Sequence, residues 1–236
     1  MTKKNYTSGK PDAKSDFYIE FSPLSSGKIQ LNLQSKTLTL HRRALSSVIK
    51  KTLSDLQIKH GILSIIDNGG QYFVLSARIE AVIKSAFPDL EIESLADLYP
   101  HSQYKSTRRR FRRSRLYLPG NQAKLMINAG IHKPDAIILD LEDSVAPSEK
   151  NSARLIVRNA LRKLDFFGSE RMVRINQGKI GLKDLEAVIP HNVHVILVPK
   201  VEDAKQLKEV DDIIQTICTK CNRKDPVYIM PIIETA

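Results

Sequence analysis

Cysteine is nearly absent from the 236 residues: Cys218 and Cys221 are the whole complement, which excludes a disulfide-stapled miniprotein and gives no sign of an oxidising compartment. No apolar run approaches the roughly 18 residues of a membrane span. The opening residues MTKKNYTSGKPDAKSD are polar and lack the apolar stretch of a secretory signal, so the cytoplasm is the expected location and no membrane is expected. The 10 glycines include no phosphate loop and no dinucleotide fingerprint; Gly120 and Gly181 read as turn residues. What is present is ordinary, 42% hydrophobic and 27% charged residues, which excludes wholesale disorder. The length suits one large domain or two smaller ones.

The net charge of +11 suggests nucleic acid until it is divided along the chain. Residues 1–100 carry 13 Lys/Arg against 10 Asp/Glu, residues 101–115 carry 7 against 0, and residues 116–236 carry 17 against 16. Most of the excess therefore sits in HSQYKSTRRRFRRSR. This segment has no periodic apolar positions and follows an acidic stretch, so residues 101–112 read as an exposed, flexible basic linker between a domain over 1–100 and another over 113–236.

The two halves differ in rhythm. Phe17–Phe21 and Ile29–Leu33 read as strands joined through Pro23 and Gly27 into a hairpin, and Ala44–Ile58 repeats apolar residues at helical spacing. Ile62–Ile66, the turn Asp67-Asn68-Gly69-Gly70, a strand Tyr72–Leu75 and a helix Ala77–Ala86 complete a small α+β unit of order ββαββα. After the linker, strands at 116–118, 136–141, 172–175, 193–198 and 227–233 alternate with helices at 124–129, 152–164, 182–188 and 204–219. Strands as continuously apolar as Ala136–Leu139 and Val195–Val198 suit a parallel sheet covered on both faces. The expected class is α/β, a partial TIM (β/α) barrel with about five of eight units.

In such a barrel the chemistry sits where strands run into their following loops. The strand ends here are Pro119-Gly120-Asn121, Asp140-Leu141-Glu142-Asp143, Arg174-Ile175-Asn176, Pro199-Lys200 and Glu234, which deliver carboxylates, an Arg and a Lys to one rim. Ordinary strand-end polarity is the competing reading, but charged ends on four strands in succession favour a built site. Cys218-Thr219-Lys220-Cys221 is a CxxC at a helix end with no second pair, and His191 and His194 lie at the opposite strand entrance. Neither motif is expected to bind metal.

Arg113–Gly120 (RSRLYLPG), Ile138–Pro147 (ILDLEDSVAP), Val173–Asn176, Val198–Glu202 and Pro231–Ala236 follow one another at barrel spacing, and over residues 112–236 the chain resembles the citrate lyase β-chain family of HpcH/HpaI aldolases. Residues 8–87, through Asp67–Ala86 above all, resemble the citrate lyase acyl carrier (γ) protein. The resemblance implies a magnesium-dependent carbon–carbon lyase, with Glu234 as a metal ligand and Arg174 as a clamp on the substrate carboxylate and nascent enolate. It makes Asp140, Glu142 and Asp143 acids that orient Arg174 or the metal's waters, and lets Lys200 add positive potential. Pro119, Gly120, Asn121 and Arg113 would hold the phosphates of a CoA-like arm. In the carrier family a serine before the first strand bears a phosphoribosyl-dephospho-CoA arm; here Lys14 occupies that position and Ser15 follows it.

The implied reaction is cleavage of a carrier-bound citryl thioester to an acetyl thioester and oxaloacetate, with an α-type acyl-transferase subunit as partner and a homo-oligomeric assembly. A lyase acting on free acyl-CoA such as malyl-CoA or citramalyl-CoA is the alternative that Lys14 favours. A non-catalytic module using the basic segment is the third reading; nucleic acid is not expected, because one aromatic accompanies the arginines and no nucleic-acid fold is recognisable. A closed barrel needs eight strands, so the domain is expected to be incomplete as it stands, and no residue is assignable as the second metal carboxylate.

Overall fold

The alternation of Gly61–Asp67 decides the first half. Leu63 and Ile65 are buried while Ile62, Ser64 and Ile66 are half-exposed, so one face of this strand carries the core. The computed structural model describes residues 4–35 and 38–234; Thr235 and Ala236, the end of the last motif, lie outside the described residues. It divides into two units, Met1–Ala96 and Asp97–Ala236.

The first unit holds β1 (Tyr6–Ser8), β2 (Phe17–Pro23), β3 (Ile29–Ser35), α1 (Leu38–Asp55), β4 (Gly61–Asp67) and α2 (Tyr72–Ala86). Its sheet has the order β1-β2-β4-β3, with β2 antiparallel and β3 parallel to β4. Phe17, Ile19 and Phe21 of β2 are buried, as are Leu45, Ile49 and Leu53 of α1 and Val74, Ile79 and Val82 of α2. Two expectations fail here. The β2–β3 hairpin does not form, because β4 enters between them and β3 reaches β4 through the α1 crossover. The side chains explain this: β3, with Gln30, Asn32 and Gln34, is solvated over most of its length and suits an edge, whereas β4 can be buried between two neighbours. Tyr72–Leu75 is not a strand but the first turn of α2, whose residues Phe73–Ile83 are all buried. Tyr72–Leu75 is a short, continuously apolar run, which periodicity alone cannot assign to a strand or to a buried helix. The element order is therefore βββαβα.

Asp16, just before β2, accepts Nε and Nη2 of Arg78 at 3.1 and 2.7 Å and the N–H of Phe17 at 2.7 Å. Both side chains are nearly enclosed. Burial of either charge alone would be costly, so this pair ties the start of β2 to the middle of α2.

The second unit holds β5 (Arg115–Pro119), α3 (Ala123–Met126), β6 (Ala136–Asp140), α4 (Lys150–Lys163), β7 (Glu170–Arg174), α5 (Gly178–Val188), β8 (Val195–Val198), α6 (Ala204–Lys220) and β9 (Tyr228–Pro231). The strands are parallel and lie in chain order, β5-β6-β7-β8-β9. Ala136, Ile138, Met172, Val195 and Leu197 form a buried cluster on one face, with Tyr228, Met230 and Ile232 packed against it. The sheet curls toward that face. β5 and β9 are four strand intervals apart, about 19 Å in a flat sheet, yet Arg115 Nη1 lies 3.6 Å from the sulfur of Met230. Among the described residues no helix is long and apolar enough to cross a membrane.

The basic segment is docked rather than free, a third correction to the sequence reading. Glu170 and Arg171 open β7 and are buried, so each needs partners. Arg171 donates to the carbonyls of Ser102 and Tyr104 and lies over the Tyr104 ring at 4.2 Å. Tyr104 Oη donates to Ser169 O at 2.6 Å. Glu170 accepts Ser106 Oγ at 2.5 Å and both Nε and Nη2 of Arg112 at 2.5 and 2.8 Å. His194 belongs to the same cluster, its Nδ1 accepting the Arg171 N–H. Burial, followed by the Arg171 charge, pushes its pKa down to about 4, so it is neutral at physiological pH. The acidic partner that the arginines lack nearby in sequence arrives from 58 residues ahead.

Two outcomes are expected from these contacts. Arg78→Met should lower the urea-unfolding stability of the first unit by about 3–5 kcal/mol, the usual cost of orphaning one member of a buried pair; a loss below about 1 kcal/mol would show that Asp16 finds other partners. The peptide bond after Arg112 should resist brief trypsin treatment in the parent and be cut in Glu170→Gln, as read by mass spectrometry of the fragments, whereas equal cutting would show that Glu170 does not hold the segment.

Candidate functional site

The register of two strands assembles the centre of the site. Asp140 and Arg174 are paired across β6 and β7 at their C-terminal ends, so their side chains leave the sheet side by side. Arg174 Nε donates to Asp140 Oδ1 at 2.7 Å and Nη2 to Oδ2 at 2.8 Å, a bidentate pair. The same two oxygens accept the N–H groups of Glu142 and Ser144 at 2.9 and 3.1 Å, which folds the loop after β6 back over the strand end. Burial works against ionisation of Asp140, but the bonds from Arg174, Ser144 and Glu142 outweigh it and hold the carboxyl below its ordinary range. Arg174 is correspondingly held in its charged form, and its guanidinium lies 5.5 Å from the Tyr117 ring centroid.

The remaining acids crowd the third nitrogen. Arg174 Nη1 is 3.1 Å from Glu142 Oε2 and 3.3 Å from Asp143 Oδ2. The Glu142 contact is close but poorly aligned, and buried Oε2 receives no hydrogen bond. Lys200, at the end of β8, approaches Glu142 Oε1 at 3.2 Å and Asp143 Oδ1 at 3.7 Å from a left-handed backbone conformation (φ 51°). Burial is the largest influence on Glu142 and raises its carboxyl above the ordinary value, against the pull of Lys200 and Arg174. Asp143 is largely exposed and makes the longest of these contacts, so it is the group an incoming anion would displace from Arg174.

Glu234 follows β9 and is exposed; it acts on Lys200 through its charge. Among the described residues no group of three or more His, Cys, Asp or Glu is arranged to hold a metal ion. Glu234 fits as a single carboxylate ligand, while Asp140 is fully engaged by Arg174. Pro119 ends β5 opposite Asp140 in register. Gly120 N–H donates to Asp140 O at 2.7 Å, and a Cβ there would fall 2.7 Å from the same oxygen, so only glycine allows this approach. Asn121 gives Nδ2 to Glu149 at 2.8 Å and keeps a buried, unpartnered Oδ1.

The expected phosphate cradle is not assembled. Arg113 precedes β5 at the opposite end of the strand from Asn121 and lies against Asp135, whose Oδ2 accepts the Arg113 and Ser114 N–H groups. α3 is only four residues long and carries no side-chain cap, so it offers little of the dipole that a longer helix would direct at an anion. Ser15 belongs to the first unit, in a left-handed conformation (φ 58°) with its N–H donating to Asn68 O at 3.0 Å. Lys14 beside it is exposed.

One residue escaped the sequence reading. Lys150 Nζ donates to Leu141 O at 3.0 Å, Glu142 O at 2.8 Å and Asn176 Oδ1 at 2.5 Å, pinning the acidic loop to the end of β7. Asn176 donates in turn to Asp184, which is paired with Arg154 at 2.7 Å. The available signal was electrostatic: a lysine in the first turn of α4 opposes the helix dipole and needs another reason to be there.

The carrier-like region, residues 8–86, matches the family model of the malonate decarboxylase delta subunit (MdcD). The citrate lyase subunit beta of Haemophilus influenzae is 41% identical over 117 residues, covering 49% of this chain and 40% of the relative. The mitochondrial citramalyl-CoA lyase of Mus musculus is 30% identical over 158 residues, covering 64% and 47%. Among solved structures, the citrate lyase beta subunit of Mycobacterium tuberculosis complexed with oxaloacetate and magnesium is 28% identical, covering 53% of this chain and 50% of that one at a TM-score of 0.41. The chain thus spans about two fifths of the length of the citrate lyase beta relatives it matches. Residues 113–236, just over half of it, match the family model described as HpcH/HpaI aldolase/citrate lyase, and the chain belongs to that family.

Proposed function

We propose that the second unit is part of a (β/α)8 lyase domain that cleaves a citryl thioester, presented on a carrier, to an acetyl thioester and oxaloacetate. The observation that carries the reading is the Arg174–Asp140 pair, which fixes a charged guanidinium at the rim with one nitrogen, Nη1, that donates to the exposed, displaceable carboxylate of Asp143 and lies against Glu142. The parallel strands in chain order and the curl that brings Arg115 to Met230 support the barrel.

In the reaction the tertiary hydroxyl of the citryl group loses its proton, the bond between that carbon and the thioester's α-carbon breaks, and the electron pair is left as a thioester enolate. The enolate then takes a proton on carbon. Arg174 replaces its Asp143 contact with the substrate's anionic oxygens, and Asp140 holds the guanidinium in place as charge develops. Glu142, whose surroundings raise its proton affinity, accepts the hydroxyl proton. Lys200 keeps the site's potential from becoming prohibitively negative, since Asp140, Glu142, Asp143 and Glu234 are otherwise met by one arginine. Magnesium, a hard cation that takes one or two carboxylates with substrate oxygens and water, would be held by Glu234 and would lower the energy of the enolate oxygen.

The first unit would act as the carrier, with Ser15 bearing the CoA-derived arm and an α-type subunit exchanging the acyl group. The exposed Lys14 supports the second reading, in which the lyase takes free acyl-CoA and the first unit bears no arm. Intact-mass measurement of protein from its native host separates the two.

In a form extended with the C-terminal part of a citrate lyase beta relative, Arg174→Ala should lower magnesium-dependent oxaloacetate release by about a hundred- to a thousandfold; turnover within a few-fold of the parent would remove Arg174 from the mechanism. The two acids should respond oppositely to pH. Because the fold raises the carboxyl of Glu142 above 4.5, it favours the neutral form, so this contribution is present below that value and lost as pH rises through the raised one. Glu142→Gln should therefore gain stability relative to the parent as pH rises above 4.5. The carboxyl of Asp140 is lowered below 3.8, so its contribution is present above that value and lost as pH falls through the lowered one. The deficit of Asp140→Asn should hold constant down to about pH 4 and shrink only below it. Urea titrations at several pH values read both, and matching pH profiles for the two variants would refute the assignment.

A further inference from the structure

We propose that the end of the second unit carrying the strand N-termini docks on an anionic phospholipid bilayer. Parallel strands place the connections entering β5, β6 and β7 at one end, away from the rim of Arg174. Each connection presents a large apolar side chain to solvent: Phe111 is 76% exposed, Ile131 60% and Phe167 59%. They are linked. A Cβ on Gly130 would lie 2.7 Å from Phe167 Cδ2, so the turn bearing Ile131 sits against the Phe167 loop. Arg110 Nη2 donates to Gly168 O at 2.8 Å, and the Arg113 guanidinium lies 5.5 Å from the Phe111 ring centroid. Phe167 itself is in a left-handed conformation (φ 50°), its N–H taken by Asp165 at 2.7 Å. Such a conformation is strained for a bulky residue and is retained only where something holds it.

Cations surround these tips. Arg108 and Arg109 are exposed and, among the described residues, make no ion pair; Arg110 and Arg113 lie in the same connection and Lys133 in the one entering β6. The acids at this end are already engaged: Glu170 is buried against Arg112, Asp135 accepts the Arg113 and Ser114 N–H groups, and Asp165 accepts from Phe167. The partner must therefore be anionic and must also receive phenyl and aliphatic groups. A second copy meeting the same face would bring arginines against arginines. A single-stranded nucleic acid would stack on the phenylalanines but offers nothing to Ile131. An anionic bilayer supplies both components, a phosphate layer for the guanidinium groups and, a few ångströms deeper, an apolar boundary for the tips.

The test uses the whole 236-residue chain. It should cosediment with phosphatidylglycerol vesicles and not with phosphatidylcholine vesicles, and salt should release it. Arg108→Gln/Arg109→Gln should weaken the partition about tenfold or more, and Phe111→Ser/Phe167→Ser should weaken it at unchanged charge. These positions are exposed, so folding should be unaffected by circular dichroism. The chain contains no tryptophan, so Phe111→Trp supplies a single reporter whose emission should shift to the blue on phosphatidylglycerol vesicles alone. Absence of that shift, equal partition on both lipids, or partition insensitive to the serine pair would overturn the proposal. Binding to a single-stranded oligonucleotide without vesicle binding would overturn it in favour of nucleic acid.

Discussion

Asp140 and Arg174 depend on each other because neither charge is affordable alone at the end of a packed sheet. Asp140 is almost enclosed, and burial works against its charge, which the guanidinium counters most strongly. Arg174 without Asp140 would lose both of its well-aligned acceptors. The register of β6 and β7 sets this pair, and everything at the rim is arranged around it. The loop after β6 turns back because Asp140 accepts its N–H groups, Lys150 fastens that loop from behind, and Gly120 lets β5 close on the Asp140 carbonyl. A rim ordered in this way before substrate arrives has little left to order when it binds.

The second unit was legible because its strands are apolar from end to end and its polar residues are confined to their ends. Ala136–Leu139 and Val195–Val198 carry no competing pattern, and the spacing between them leaves room only for helices. Asp140, Glu142, Asp143, Arg174 and Lys200 could be placed at one rim from the direction of the strands alone. Their mutual contacts could not, since these depend on a register that periodicity does not specify. Lys150 was hidden for a related reason: its partners are two main-chain carbonyls and an amide, and main-chain acceptors leave no trace in a sequence.

The first unit was harder to read because its local signals are true of more than one fold. Pro23 and Gly27 do mark a turn between β2 and β3, but a turn does not decide which strand pairs with which. The choice fell to burial, since the amides of β3 are tolerable only at an edge. The arginine run misled in the same manner. Like charges in sequence argue for an extended, solvated segment, and Glu170 overturns this for Arg112 because a buried carboxylate demands a cation from wherever the chain can supply one.

That docking also has a bearing on the order of events as the chain leaves a ribosome. The bonds that fix Ser102, Tyr104, Ser106, Arg110 and Arg112 reach 58 to 90 residues ahead. The contacts of the first unit close within its own 96 residues, and can be complete while residues 102–112 still have nothing to hold. For as long as translation takes to deliver Glu170, Arg171 and His194, at some 5–20 residues per second, the nascent protein carries a finished amino-terminal body and a bare polycationic strand behind it. The arrival of β7 supplies Glu170 and Arg171, two of the partners that the segment lacks until then.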